Sequence, residues 1–148
     1  MAERVLKILR KQVKNIYCIL DGKLLETVSS SVVRSLIKQI EEIGSVRKNI
    51  IIFDHQLKTE TFDMFINHGI SPIVVPSDRD IYLALESLDV INSHQVDILC
   101  LGILDNSLLP VVIKARETTD VLLVCQSKES VKNYIPFVDF LITMEDLL

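Results

Sequence analysis

The chain has 148 residues, 49% of them hydrophobic and 24% charged, which is enough apolar material for one buried core and too much for a disordered chain. Four glycines and four prolines leave little room for linkers or for a turn-rich all-β fold. The net charge is −4, and although the mean hydropathy of +0.35 is high, no run approaches the ~18–20 unbroken apolar residues of a membrane span.

At the front, Val5, Ile8, Leu9 and Val13 form an apolar stripe among basic residues, which predicts a basic amphipathic helix over 1–14. The same stretch is charged throughout and does not read as a signal peptide. Short, nearly continuous apolar runs then recur at Ile16–Leu20, Ile50–Phe53, Ser71–Val75, Ile98–Leu101, Val121–Cys125 and Phe140–Thr143. Strands buried on both faces of a parallel sheet read this way. Helical patterns lie between them. Val32, Val33, Leu36, Ile37, Ile40 and Ile43 form a stripe stopped at Gly44, and Thr59–His68 ends at Gly69. Ile81, Ala84, Leu85, Leu88 and Ile91 form the next stripe. Leu108, Val111, Val112 and Ala115 follow, with Pro110 in the first turn, and Lys128–Tyr134 predicts a short helix before Pro136. The alternation predicts a single α/β domain over 1–148: a three-layer α/β/α, Rossmann-like fold with a mainly parallel sheet of about five or six strands and right-handed crossovers.

Cys18, Cys100 and Cys125 each sit in an apolar run without ligand spacing, which predicts buried, reduced thiols and fits a cytoplasmic protein. Charge is divided unevenly. Residues 1–48 hold ten Lys/Arg against five Asp/Glu, and residues 49–148 hold six against fifteen. A basic surface for an anionic partner and an acidic site for a cation would both produce such a split, as would solvated helix faces of opposite sign.

Ligands of open α/β sheets bind outside the carboxyl ends of the strands. Aspartates recur there: Asp21 after the first run, Asp54 after the second, Asp78 and Asp80 after the third, Asp105 after the fourth. Converging carboxylates suit a hard cation such as Mg²⁺ or Mn²⁺, which would activate water for phosphodiester hydrolysis. Aspartates at strand-to-helix turns are also ordinary N-caps, and Asp78, Asp80 and Asp105 are placed to serve as such. Asp21 is harder to read as a cap, because Gly22-Lys23-Leu24-Leu25 does not obviously start a helix. The histidines, His55, His68 and His94, show no ligand spacing, and no Gly-rich phosphate loop is present.

Several segments resemble the NYN domains of the PIN-like nuclease superfamily, in an order that covers nearly the whole chain. Leu20-Asp21-Gly22 is similar to the family's opening V-D-G-x-N, and His68–Val75 to its G-x-x-P-x-x-V strand. Asp78–Glu86 resembles D-x-D-V-x-x-A-x-E/D, Leu99–Pro110 resembles V-x-L-V-S-x-D-S-D-F-x-P, and Val138–Leu141 the closing A-D-x-F-I. The resemblance implies a Rossmann-like fold and, in active members, divalent-metal-dependent RNA cleavage. It carries over Asp21, Asp80 and Asp105 as catalytic residues and, with Glu86, as Mg²⁺ or Mn²⁺ ligands, supported by Asp78, Asn106 and Ser107. Three positions depart from the pattern: Leu24 stands for the first-strand Asn, Ser107 for the second Asp of D-S-D-F, and Leu108 for its aromatic. Asp80 and Glu86 would lie about 240° apart on an ideal helix. A site short of one carboxylate holds Mg²⁺ more weakly.

Two expectations follow. One is an RNA-acting domain whose ribonuclease site is weakened, with Lys23, Arg34, Lys38 and Lys48 tracking the phosphate backbone. The other is a catalytically inactive relative that binds RNA or a protein partner, with self-association into a homodimer allowed by the apolar composition. A phosphoacceptor receiver-like domain fits less well, because the first run ends in a lone aspartate and the third in Val75-Pro76.

Overall fold

The computed structural model describes residues 13–148. The amphipathic helix expected over 1–14 thus falls, except for its last two residues, outside the described residues, and Val13 and Lys14 belong to no helix. Among the described residues six strands form one sheet: β1 (Asn15–Asp21), β2 (Ser45–Phe53), β3 (Ser71–Val74), β4 (Ile98–Gly102), β5 (Asp120–Cys125) and β6 (Phe140–Thr143). The helices are α1 (Gly22–Leu25), α2 (Ser30–Ile43), α3 (Thr59–Asn67), α4 (Arg79–Asn92) and α5 (Leu109–Ala115). Every strand pairing is parallel, and the spatial order is β3-β2-β1-β4-β5-β6. This is the three-layer, Rossmann-like α/β architecture expected from the alternating pattern.

Alternation of side chains along each strand sorts the apolar runs onto two faces. Ile19, Leu99, Leu101, Val121 and Leu123 face one core, closed by Leu83, Val90 and Ile91 of α4 and Val111, Val112 and Ala115 of α5. Cys18, Leu20, Cys100, Leu122 and Val124 face the other, closed by Val32, Val33, Leu36 and Ile40 of α2 and Phe65 of α3. Each fully buried Leu, Ile or Val contributes about 1.5–3 kcal/mol, so both layers are needed to hold the sheet. The three cysteines are buried free thiols, and Cys18 lies opposite Cys100 across β1 and β4.

Several boundaries differ from expectation. β2 begins five residues earlier than its apolar run, because Ser45, Val46, Lys48 and Asn49 gain ladder partners along β1, with Arg47 at an irregularity between them. The segment expected as a helix over Lys128–Tyr134 contains a 3-10 turn at Glu129–Val131, with a second turn following at Ile135–Phe137. Gly69 ends α3 in the left-handed region at φ 77°. Gly44 ends α2 with extended backbone, and its lack of a side chain matters for space: a Cβ there would lie 2.5 Å from the Lys14 carbonyl. No helix among the described residues is long and apolar enough to cross a membrane.

Candidate functional site

The strand order reverses between β1 and β4, and the turns leaving their carboxyl ends, with that of β2, build the edge where α/β sheets take ligands. Asp21 is the last residue of β1 and continues the parity of Tyr17 and Ile19, which puts it on the α4 side of the sheet. It is only 3% exposed. Its Oδ1 accepts the Lys23 amide at 2.9 Å, so Asp21 does cap a helix, the four-residue α1, contrary to the sequence expectation. That turn is tight because Gly22 packs against β2: a Cβ there would lie 2.4 Å from the Phe53 ring and 2.6 Å from the Ile52 carbonyl.

Arg79, the first residue of α4, reaches into this turn. Its Nε lies 2.8 Å from Asp21 Oδ1, and Nη1 donates to Asp54 Oδ2 at 2.6 Å. The Nε–H is not aligned on the Asp21 oxygen, so that contact is an ion pair and not a directed hydrogen bond. Asp54 also contacts His55 Nδ1 at 3.2 Å, and His55 Nε2 meets Glu26 at the end of α1. The result is a chain of alternating acids and bases, Glu26–His55–Asp54–Arg79–Asp21, beside a cavity of about 100 Å³ lined by Lys23, Glu26, Phe53, Asp54, His55 and Arg79.

The electrostatics follow the geometry. Burial pushes the Asp21 carboxyl up from its ordinary value. The Lys23 amide and Arg79 pull it back, and neighbouring Asp80 pushes it up further. Hydrogen bonding to Ser107 holds Asp105 below its ordinary value, with Arg79 and Lys23 adding to the effect. Asp54 is lowered by its bond to His55 and by Arg79, and His55 is raised by its bonds to Asp54 and Glu26.

Of the residues singled out from sequence, Asp21, Asp80, Asp105 and Lys23 gather around Arg79 at this edge. Asp80 sits in the first turn of α4, half-buried, and is felt electrostatically by Asp21. Asp105 is exposed and caps the 3-10 turn Asn106–Leu108 by accepting the Ser107 amide at 2.9 Å. Its backbone carbonyl accepts a 2.5 Å bond from the hydroxyl of buried Tyr134. Asn106 and Ser107 are exposed on the same turn. Asp78 is exposed at the N-cap of α4 in the left-handed region, φ 56°, and its side chain makes no capping bond; it accepts from the Ser77 hydroxyl at 3.1 Å.

Glu86 does not join the acids. It lies within α4 and pairs with Lys48 of β2 at 3.4 Å, so neither serves the edge as the resemblance and the charge count suggested. Arg34 and Lys38 are exposed one turn apart on α2. Sequence reasoning placed Asp54 at this edge but gave no site role to it or to Arg79, His55 and Glu26. The available signal was His55 directly after the strand-ending Asp54, and a basic residue at the start of a helix.

The resemblance implies a divalent cation, and the side chains present do not fit one. Among the described residues no group of three or more His, Cys, Asp or Glu is arranged to hold a metal ion. Asp21 and Asp54 are already paired with a guanidinium, and Asp105 with a backbone amide.

No protein family and no curated protein matches the chain in sequence. In structure the chain is similar to a protein of unknown function from Vibrio parahaemolyticus RIMD 2210633, with a TM-score of 0.74 and 12% identity over 92% of this chain and 96% of the other. That likeness shows the fold alone.

Proposed function

We propose that this chain is an NYN-like domain that binds RNA at the carboxyl edge of its sheet, as a binding module and not as an efficient nuclease. The observation that carries the reading is the mixed ledge over β1, where Asp21, Asp80 and Asp105 surround Arg79 and Lys23. The place is that of a ligand site in this architecture, and the acids match the motif positions of the resemblance. Asp21 is paired with Arg79 and Asp105 accepts the Ser107 amide, which is a poor arrangement for metal-assisted hydrolysis. Exposed Lys23, Arg34 and Lys38 supply charge that phosphates can use.

Fluorescence anisotropy with labelled single-stranded RNA tests this. Binding is expected in EDTA as well as in Mg²⁺ or Mn²⁺, weakening with salt at a log–log slope of roughly −2 if three phosphates are neutralised, and weakening further in Lys23→Ala/Arg34→Ala/Lys38→Ala. The RNA is expected to stay intact. Metal-dependent cleavage that disappears in Asp21→Asn/Asp105→Asn would instead establish the weakened ribonuclease. Absence of RNA binding would leave the protein-partner reading, which one observation favours: Ile81 and Leu85, one turn apart on α4, are 56% and 57% exposed.

A further inference from the structure

We propose that the Arg79 guanidinium permanently fills the place of the divalent cation implied at Asp21, so that this edge works without metal. The inference deepens the NYN-like reading of the acids and makes no use of RNA.

Its position in α4 is the first argument. Arg79 opens a fourteen-residue helix, the end where the macrodipole disfavours positive charge. Helix stability therefore does not account for a cation at this point, and the carboxylates in front of it do. The second argument is shape. A guanidinium is a planar fork with donors on separate edges. Here Nη1 donates to the carboxylate that follows β2 at 2.6 Å, and Nε lies 2.8 Å from the one that ends β1 as an ion-pair contact without its N–H aligned on the oxygen. The third is burial. The Asp21 side chain is 4% exposed and that of Arg79 15%. A carboxylate removed from water to this degree takes up a proton unless a counter-charge lies beside it.

The counter-charge is supplied by the residue directly before Asp80, the acid that the resemblance assigns to the metal. Any divalent ion approaching Asp21 would meet a fixed positive charge already in contact with the oxygen it needs. Asp54 is likewise committed to Arg79 and His55, and one oxygen of Asp105 to the Ser107 amide.

Titration of the apo protein with Mn²⁺, by calorimetry and by thermal melting at neutral pH, tests the assignment. Wild type is expected to show no saturable heat and no shift in melting temperature. Arg79→Ala is expected to melt lower, to bind Mn²⁺ at least about tenfold more tightly than wild type, and to recover part of its melting temperature in Mn²⁺. Arg79→Lys keeps the charge but loses the fork, so it should melt lower than wild type and gain no Mn²⁺ affinity. Saturable Mn²⁺ binding by wild type overturns the proposal, and so does a folded Arg79→Ala protein that gains no Mn²⁺ affinity. If Arg79→Ala does not fold, Asp21→Asn/Arg79→Ala should, because the stranded carboxylate is then gone. Failure of that double variant to fold also overturns the proposal. No RNA enters these measurements, so their outcome is separate from that of the binding assay.

Discussion

Asp21 closes the first strand and Arg79 opens α4, and the two meet as an ion pair 2.8 Å apart that ties the first strand of the sheet to the helix covering its neighbours. Removing one partner of a buried pair costs more than the pair contributes, because the other charge is left in a low dielectric. Arg79→Ala is therefore expected to lower stability by about 3 kcal/mol in urea unfolding. Asp21→Asn should cost less, since an amide oxygen can still accept the Lys23 N–H. A double-mutant cycle should give a coupling of about 1–3 kcal/mol, and simple additivity would show that the contact carries no weight.

The pH response separates His55 from the acids. A histidine whose folded value is raised stabilises the fold below its ordinary value of about 6.5 and loses that contribution as pH rises through the folded value. Wild type should therefore lose melting temperature relative to His55→Gln, which lacks the titration, as pH rises from about 6.5 through that raised folded value. Asp54 and Asp105 have the opposite sign: being lowered, they contribute above about 3.8 and lose that contribution as pH falls through their folded values. Asp21, raised by burial, favours folding when protonated and opposes that acid limb.

Tyr134 is fully buried, and burial raises its hydroxyl to about 12, so it remains a donor to the Asp105 carbonyl throughout the working range. Tyr134→Phe keeps the ring packing and removes one hydrogen bond. A loss of about 1 kcal/mol in urea unfolding is expected, with faster amide exchange in the Asn106–Leu108 turn.

Gly22 sets the path of the chain beneath Asp21. Gly22→Ala would drive a methyl into the Phe53 ring and the Ile52 carbonyl, and the backbone contact cannot yield by a rotamer change. A loss of about 1–3 kcal/mol is expected from equilibrium unfolding.

The surface pair Lys48–Glu86 provides a contrast. Its side chains are 35% and 34% exposed and meet at 3.4 Å. Glu86→Gln should change stability by about 0–1 kcal/mol and leave RNA affinity unaltered, as the binding and unfolding assays would show.

The layers of the fold were legible in the sequence because both faces of each inner strand are buried, which writes unbroken apolar runs between amphipathic ones. Asp21, Asp80 and Asp105 were legible because strand ends map onto one edge of a parallel sheet. The identity of their partner was not. Arg79 sits beside Asp80 in the chain, but its pairing with Asp21 and Asp54 depends on how α4 docks over β1 and β2, a tertiary relationship with no local pattern. The same holds for the Lys48–Glu86 pair, which joins β2 to α4. The first half of β2 was hidden because Arg47, Lys48 and Asn49 carry no apolar signal, and the strand there comes from the pairing of Lys48 and Asn49 with β1. The short α1 was hidden because four residues are too few for a period.

Anomalous diffraction from wild-type crystals soaked in Mn²⁺ measures the state of this edge most directly. The expected map holds no manganese peak within bonding distance of Asp21, with Arg79 still seated between Asp21 and Asp54. A manganese ion bound to Asp21, with Arg79 swung clear of it, would contradict the account.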